Sequence, residues 1–254
     1  MATIQIHHIT LTRVQLDAIP ESERRLLVLV AHAANELNVL SKIFHFAANA
    51  VVDPSAPLMV QAHNAQAMVL GRVLTGKIYE CWVLLSNSFF GAKLSRTYEP
   101  KFGAEASDAL EGLKQYFGRN NIVADVRSRH AFHYSAAEID AGYRAIIDGD
   151  PLDIYLAESN ANTLYAFADS IAGRAMLETI KPGDAKGAYE VLIADTARLV
   201  GQINLVIAKI MVTCIEAHLH STIYQLGARR IDVDGAQDHG QVSIPYFVQT
   251  GGVP

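Results

Sequence analysis

Val126-Arg127-Ser128-Arg129-His130-Ala131-Phe132-His133-Tyr134 puts two arginines and two histidines into nine residues flanked by apolar positions. Imidazole is the side chain best matched to proton transfer near neutral pH, and a guanidinium carries a permanent charge on a fork that fits phosphate or carboxylate oxygens. The pair points to phosphate-ester chemistry. On a regular helix, six positions set Arg127 and His133 roughly 120° apart. Arg129 and His133, at i and i+4, share a face instead. Convergence of Arg127 with His133 therefore needs a kink, a helix start inside the segment, or a second copy of the chain.

Outward from this segment the chain reads as long helices. Apolar residues recur at helical spacing from Pro20 to about Ala50, through Leu26, Leu27, Val30, Leu37 and Phe44. Pro54 and Pro57 interrupt that helix, and a second is expected from Leu58 to Phe89. Residues 87 to 104, punctuated by glycine, proline and serine, read as a loop, and Ser107 to Phe117 as a short helix. Asn121 is placed to cap the helix carrying the central segment, and Ser135-Ala136-Ala137-Glu138 has the form of a capping box. The latter starts a helix to about Ile147. Gly149-Asp150-Pro151 is the best internal boundary. Further helices are expected over Asn160–Ile180 and, after the turn Lys181-Pro182-Gly183-Asp184, over Ala185–Leu226. The last is too long and too apolar for a surface helix and is a candidate bundle strut or dimer seam. Alternation over Ala2 to Leu16 suggests a short extended arm, and Gly240 to Pro254 an extended or poorly ordered tail.

The spacing Arg127-x5-His133 followed by Tyr134 resembles the signature of HEPN domains (higher eukaryotes and prokaryotes nucleotide-binding), most closely the abortive-infection type. That resemblance implies an all-α, usually dimeric protein, often a metal-independent ribonuclease of a defence or toxin system. It implies Arg127 and His133 as the catalytic pair, and Arg129, His130, Ser128 and Tyr134 as substrate contacts. Glu80, in Lys77-Ile78-Tyr79-Glu80-Cys81-Trp82, matches an acidic residue before an aromatic in such proteins and would orient the pair. Ser128 departs from the pattern, which often has Asn there. Two copies of His133 across a two-fold axis would supply both the base and the acid that RNA cleavage through its own 2′-OH requires. The rival reading is a catalytically silent HEPN-like dimer that binds a partner protein, such as an antitoxin, or a nucleotide.

Composition narrows the field. With 254 residues, half of them hydrophobic, the chain can bury a sizeable core. A formal charge of −5 excludes a generally basic nucleic-acid binder, so RNA affinity must come from a local patch. Lys114, Arg119, Arg127 and Arg129 against Asp125 form one. Cys81 and Cys214 are embedded in apolar helical patterns and read as core thiols. His-Glu-x-x-His, dinucleotide and phosphate-loop glycine patterns and a Gly-x-Ser-x-Gly elbow are missing, so neither a metal nor another cofactor is expected. A metal-binding bundle around Glu216, His218 and His220 is the third, least favoured reading. No secretory leader and no uninterrupted apolar run of membrane-spanning length is recognised, so a cytoplasmic protein without a membrane partner is expected.

The expected architecture is thus an all-α long-helix bundle of six or seven helices. It divides into an arm (1–19), a HEPN-like core (20–148), a helical extension packed on it (149–227) and a tail (228–254).

Overall fold

Proline and glycine set the frame. In the computed structural model, which describes residues 2–237 and 239–249, Pro20 immediately precedes one long helix and Pro57 opens the next. Gly183, at φ 73°, turns the chain into the longest. In chain order the elements are β1 (Ala2–His8), α1 (Arg13–Asp17), α2 (Glu21–Ala48), α3 (Pro57–Leu85), α4 (Ser95–Tyr98) and α5 (Ala104–Phe117). They continue as α6 (Ile122–Val126), α7 (Ala136–Arg144), α8 (Ala166–Ile180), α9 (Ala185–Leu219) and β2 (Arg229–Ala236). The protein is 68 % helix and 7 % strand, an all-α architecture.

By contacts the described chain forms two compact units, each assembled from separated segments. The first takes residues up to Asn38, Ile78–Arg119 and Arg198–Gln241. Its core is the apolar stripe of α2 (Leu26, Val30, Leu37), the end of α3 (Ile78, Leu85), Leu110 and Leu113 of α5, and Ile203, Val206 and Ile210 of α9. Trp82 stacks on Phe117 at 4.8 Å between ring centroids. The expected loop after α3 is instead a run of helical turns, a π-type turn at Ser86–Gly91 followed by α4, because Phe89 and Tyr98 are buried there. The arm is a strand paired antiparallel with β2, with Ile4 opposite Val233 and Ile6 opposite Ile231.

The second unit takes Val39–Lys77, Asn120–Ala197 and the chain from Val242 onward. Phe44, Met68, Leu74, Val123, Val126, Met176 and Leu192 are buried in it. Gly142 of α7 lies against α8 so closely that a Cβ would fall 2.2 Å from the Ile171 carbonyl oxygen. Of the tail expected to be extended or poorly ordered, the part described from Val242 onward has neither helix nor strand and is anchored to the rest of its unit. Tyr246 and Phe247 pack on Ala62, Ala65, Leu164 and Ala166, and Asn162 exchanges two hydrogen bonds with the Val248 backbone. The rest of the expected tail, 250–254, lies outside the described residues.

α9 stops at Leu219 rather than Leu226, since His220 adopts a left-handed φ of 51° that no helix continues through. α2 and α9 are long and apolar enough by length and composition to cross a membrane, although half of the apolar window of α9 is buried within the protein.

Candidate functional site

The central segment sits where one helix ends and another begins. Asn121 has extended backbone angles, and its side chain accepts the Ala124 N–H at 2.9 Å, opening α6 as a regular N-cap. After Val126 the helix widens into a π-type turn, Arg127–Ala131, and stops at Phe132 (φ −130°, ψ 14°). Widened turns of this kind shift side chains off the regular helical spacing and are frequent at functional sites. Here the shift buries His130, and the break leaves Phe132, His133 and Tyr134 exposed.

A cavity of about 680 Å³ runs beside this break. Arg129, His130, Phe132, His133 and Tyr134 line it from the segment, Arg72 from α3, Glu138 from α7 and Asp169 from α8. Arg127 is half-buried and not among the lining residues, so within one chain the cavity gathers His133 with Arg129 rather than with Arg127. Ser128 also lies outside the cavity lining. Its hydroxyl donates to the Asp125 carbonyl at 3.1 Å, a local backbone bond. Glu80 is exposed on the part of α3 that belongs to the first unit.

The charges lining the cavity are already paired. Glu138 takes both arms of Arg129, Nε to Oε1 at 2.8 Å and Nη2 to Oε2 at 2.9 Å. This bidentate fork raises the Arg129 pKa further above its ordinary value. The capping pattern Ser135-x-x-Glu138 is half realised: the Ser135 hydroxyl accepts the Glu138 N–H at 3.4 Å, while the carboxylate goes to Arg129. Arg72 stands 3.9 Å from Asp169, whose carboxyl is raised by burial against the pull of that same guanidinium.

His130 is 7 % exposed, with Nε2 2.8 Å from the Thr179 hydroxyl. That hydroxyl gives its proton to the Ala175 carbonyl at 3.1 Å, so it accepts from His130 and the neutral ring carries its proton on Nε2. Desolvation is the chief cause pushing the His130 pKa down to about 4, with nearby Arg129 and Arg72 adding to it and Glu138 opposing. Near neutral pH it is therefore an uncharged structural group, not a cationic phosphate contact.

Sequence reasoning passed over Arg72, Thr179 and Asp169, which come from other helices. It read Asp150 only as part of a boundary. Asp150 holds Arg174 at 3.0 Å beside a second, largely apolar cavity of about 370 Å³ in the same unit, where Gln61 donates to Asp153 at 2.7 Å. Of the third reading's residues, Glu216 and His220 are exposed, and His218 bonds Glu23 instead of either.

Compared with protein-family models, curated proteins and solved structures, the chain matches none.

Proposed function

We propose that the protein is a HEPN-like, metal-independent endoribonuclease of the defence or toxin type, acting in the cytoplasm as a homodimer. The observation that carries the reading is an exposed imidazole, His133, between two exposed aromatic rings, Phe132 and Tyr134, on a cavity that also holds two guanidinium groups. Unpaired bases stack on aromatic rings, and arginines meet the phosphates between them, so single-stranded RNA is the substrate class that fits.

His133 takes the proton from a ribose 2′-OH as that oxygen attacks the adjacent phosphorus, and the 5′-oxygen leaves with a proton from an acid. Among the described residues lining the cavity, the other imidazole, His130, is buried and uncharged, which makes it a poor proton donor to a leaving group. A second copy of the chain supplies the missing group as its own His133. The same pairing gives Arg127 a role, stabilising charge on the phosphorane from across the dimer axis.

The test is incubation of the protein with single-stranded RNA in EDTA. Cleavage is expected, with a loss of about 10²-fold or more in His133→Ala and a comparable loss in Arg127→Ala, and none of a DNA of the same sequence, which lacks the 2′-OH. Undiminished cleavage by both variants, or activity that requires added magnesium, refutes the assignment.

The second reading, a silent HEPN-like dimer holding an antitoxin, another protein or a nucleotide, draws on Arg129 being tied to Glu138 and Arg127 lying outside the cavity lining. RNA retained without cleavage would favour it.

A further inference from the structure

In the first unit, four side chains that carry chemistry come together from three helices. Glu23 lies in the first turn of α2, Tyr98 ends α4, and Cys214 and His218 lie four residues apart near the end of α9. Spacing i, i+4 puts the last two on one helix face. His218 Nε2 is 2.8 Å from Glu23 Oε2, and the Tyr98 hydroxyl donates to that same oxygen. The Cys214 sulfur, a ring nitrogen of His218 and a carboxylate oxygen of Glu23 all lie within 4.8 Å of one another.

The setting is buried on the side of the thiol and half-buried at Glu23 and His218, which gives an ion a way in. Cys214 is 1 % and Tyr98 2 % exposed, and Ile210 and Ile215 beside the thiol on α9 are buried. An apolar side chain at position 214 would fill that space without placing sulfur against a carboxylate and an imidazole. Sulfur, nitrogen and oxygen donors on three side chains are the set that zinc takes, and a thiolate with a carboxylate balances the charge of a divalent ion in a low-dielectric site. Tetrahedral zinc bonds of about 2.0–2.3 Å hold ligand atoms roughly 3.3–3.7 Å apart, so the His218–Glu23 pair must open from 2.8 Å while the sulfur stays within reach, adjustments that side-chain torsions can supply.

We propose that Glu23, Cys214 and His218 form a binding site for a divalent transition metal of the zinc class, with Tyr98 as the positioning residue that orients the Glu23 carboxylate. The ion ties the start of α2 to the end of α9. Binding replaces the thiol proton of Cys214 by the metal and releases that proton to solvent. Three protein ligands leave a fourth position for water. The site stands independently of the ribonuclease reading, because none of its residues lines the cavity of His133.

Cobalt(II) is the probe, since a thiolate bound to it gives an intense near-ultraviolet charge-transfer band. Full-length wild-type protein titrated with cobalt should develop that band at one equivalent, with tetrahedral visible bands, and zinc should displace it. Cys214→Ser should lose the charge-transfer band, whereas Cys81→Ser should keep it. His218→Gln and Glu23→Gln should weaken zinc binding by at least the 10–100-fold that loss of an outer-shell partner typically causes. Tyr98→Phe, which keeps the ring, should weaken it less than either while leaving the cobalt–thiolate band in place. A wild-type protein that takes up cobalt without a thiolate band, or takes up none, overturns the proposal without recourse to any variant. So does a band that survives Cys214→Ser.

Discussion

Lowering the pH should unfold the protein partly through a single buried imidazole. His130 has its pKa pushed from 6.5 to about 4 by burial, so between those values the unfolded chain binds a proton there that the folded chain refuses. Stability rises with pH wherever the unfolded state binds more protons. The contribution of His130 is therefore complete above about pH 6.5 and drains away as the pH drops toward 4. Each pKa unit is worth about 1.4 kcal/mol, so the whole effect is about 3 kcal/mol, of which roughly 2 kcal/mol is gone by pH 5. The informative variant is His130→Gln, which keeps an N–H to donate to Thr179 but has nothing to titrate. Urea unfolding followed by far-ultraviolet circular dichroism at pH 7.5 and pH 5 measures both proteins. Wild type should lose about 2 kcal/mol more than the variant over that range. Any fixed cost of the substitution cancels in the comparison. So does the opposite contribution of Asp169, whose raised carboxyl favours the folded state at low pH. Parallel losses in the two proteins would refute the placement of a neutral, desolvated His130 against Thr179.

Two further outcomes follow from the same unit. Glu138→Gln should release Arg129 from its bidentate pair, tighten binding of an oligouridine, and steepen the slope of log affinity against log salt by about 0.7, the share of one phosphate contact on a single strand; fluorescence anisotropy at several salt concentrations reads both. Gly142→Ala should lower stability by about 1–3 kcal/mol in thermal or urea melts, because its Cβ meets the Ile171 carbonyl at 2.2 Å and the Ala175 Cβ at 2.9 Å, and backbone cannot retreat as a flexible side chain would.

Helix positions were largely legible in the chain because their signals are local. Pro57 at the head of α3, the Lys181-Pro182-Gly183-Asp184 turn before α9 and the Asn121 cap each act within a few residues, and each lies where the pattern put it. What depends on distant partners was not legible. The alternation of Ile4 and Ile6 announces an extended arm, but nothing near them names Ile231 and Val233 as the opposing strand more than 220 positions on. Residues 87–104 read as a loop from their glycine, proline and serine. Phe89 and Tyr98 are buried at 0 % and 2 %, and those two anchors wind the segment into turns. Likewise Asn162, remote in sequence, secures Val248 in a stretch that read only as an extended or poorly ordered tail.

At the site, residue types were legible and companions were not. Counting 100° per residue from Arg127 to His133 presumes a continuous helix, and the widened turn followed by the break at Phe132 removes that premise. The capping pattern at Ser135 correctly marks the start of α7 but assigns the Glu138 carboxylate to the wrong partner, since a bidentate guanidinium outcompetes a single backbone N–H for it. That competition controls how much positive charge the cavity can offer. Arg129 faces Glu138 and Arg72 faces Asp169, so the two guanidinium groups of the lining are matched by two carboxylates. On the proposed ribonuclease reading, an incoming phosphate has to take a guanidinium from a carboxylate rather than find it waiting, which costs affinity but makes the arginines answer to the ligand that displaces their partners. On that same proposal, exposed Phe132 and Tyr134 need no such exchange, and stacking at about 1–3 kcal/mol per base is the contact that would hold a strand in place while it occurs.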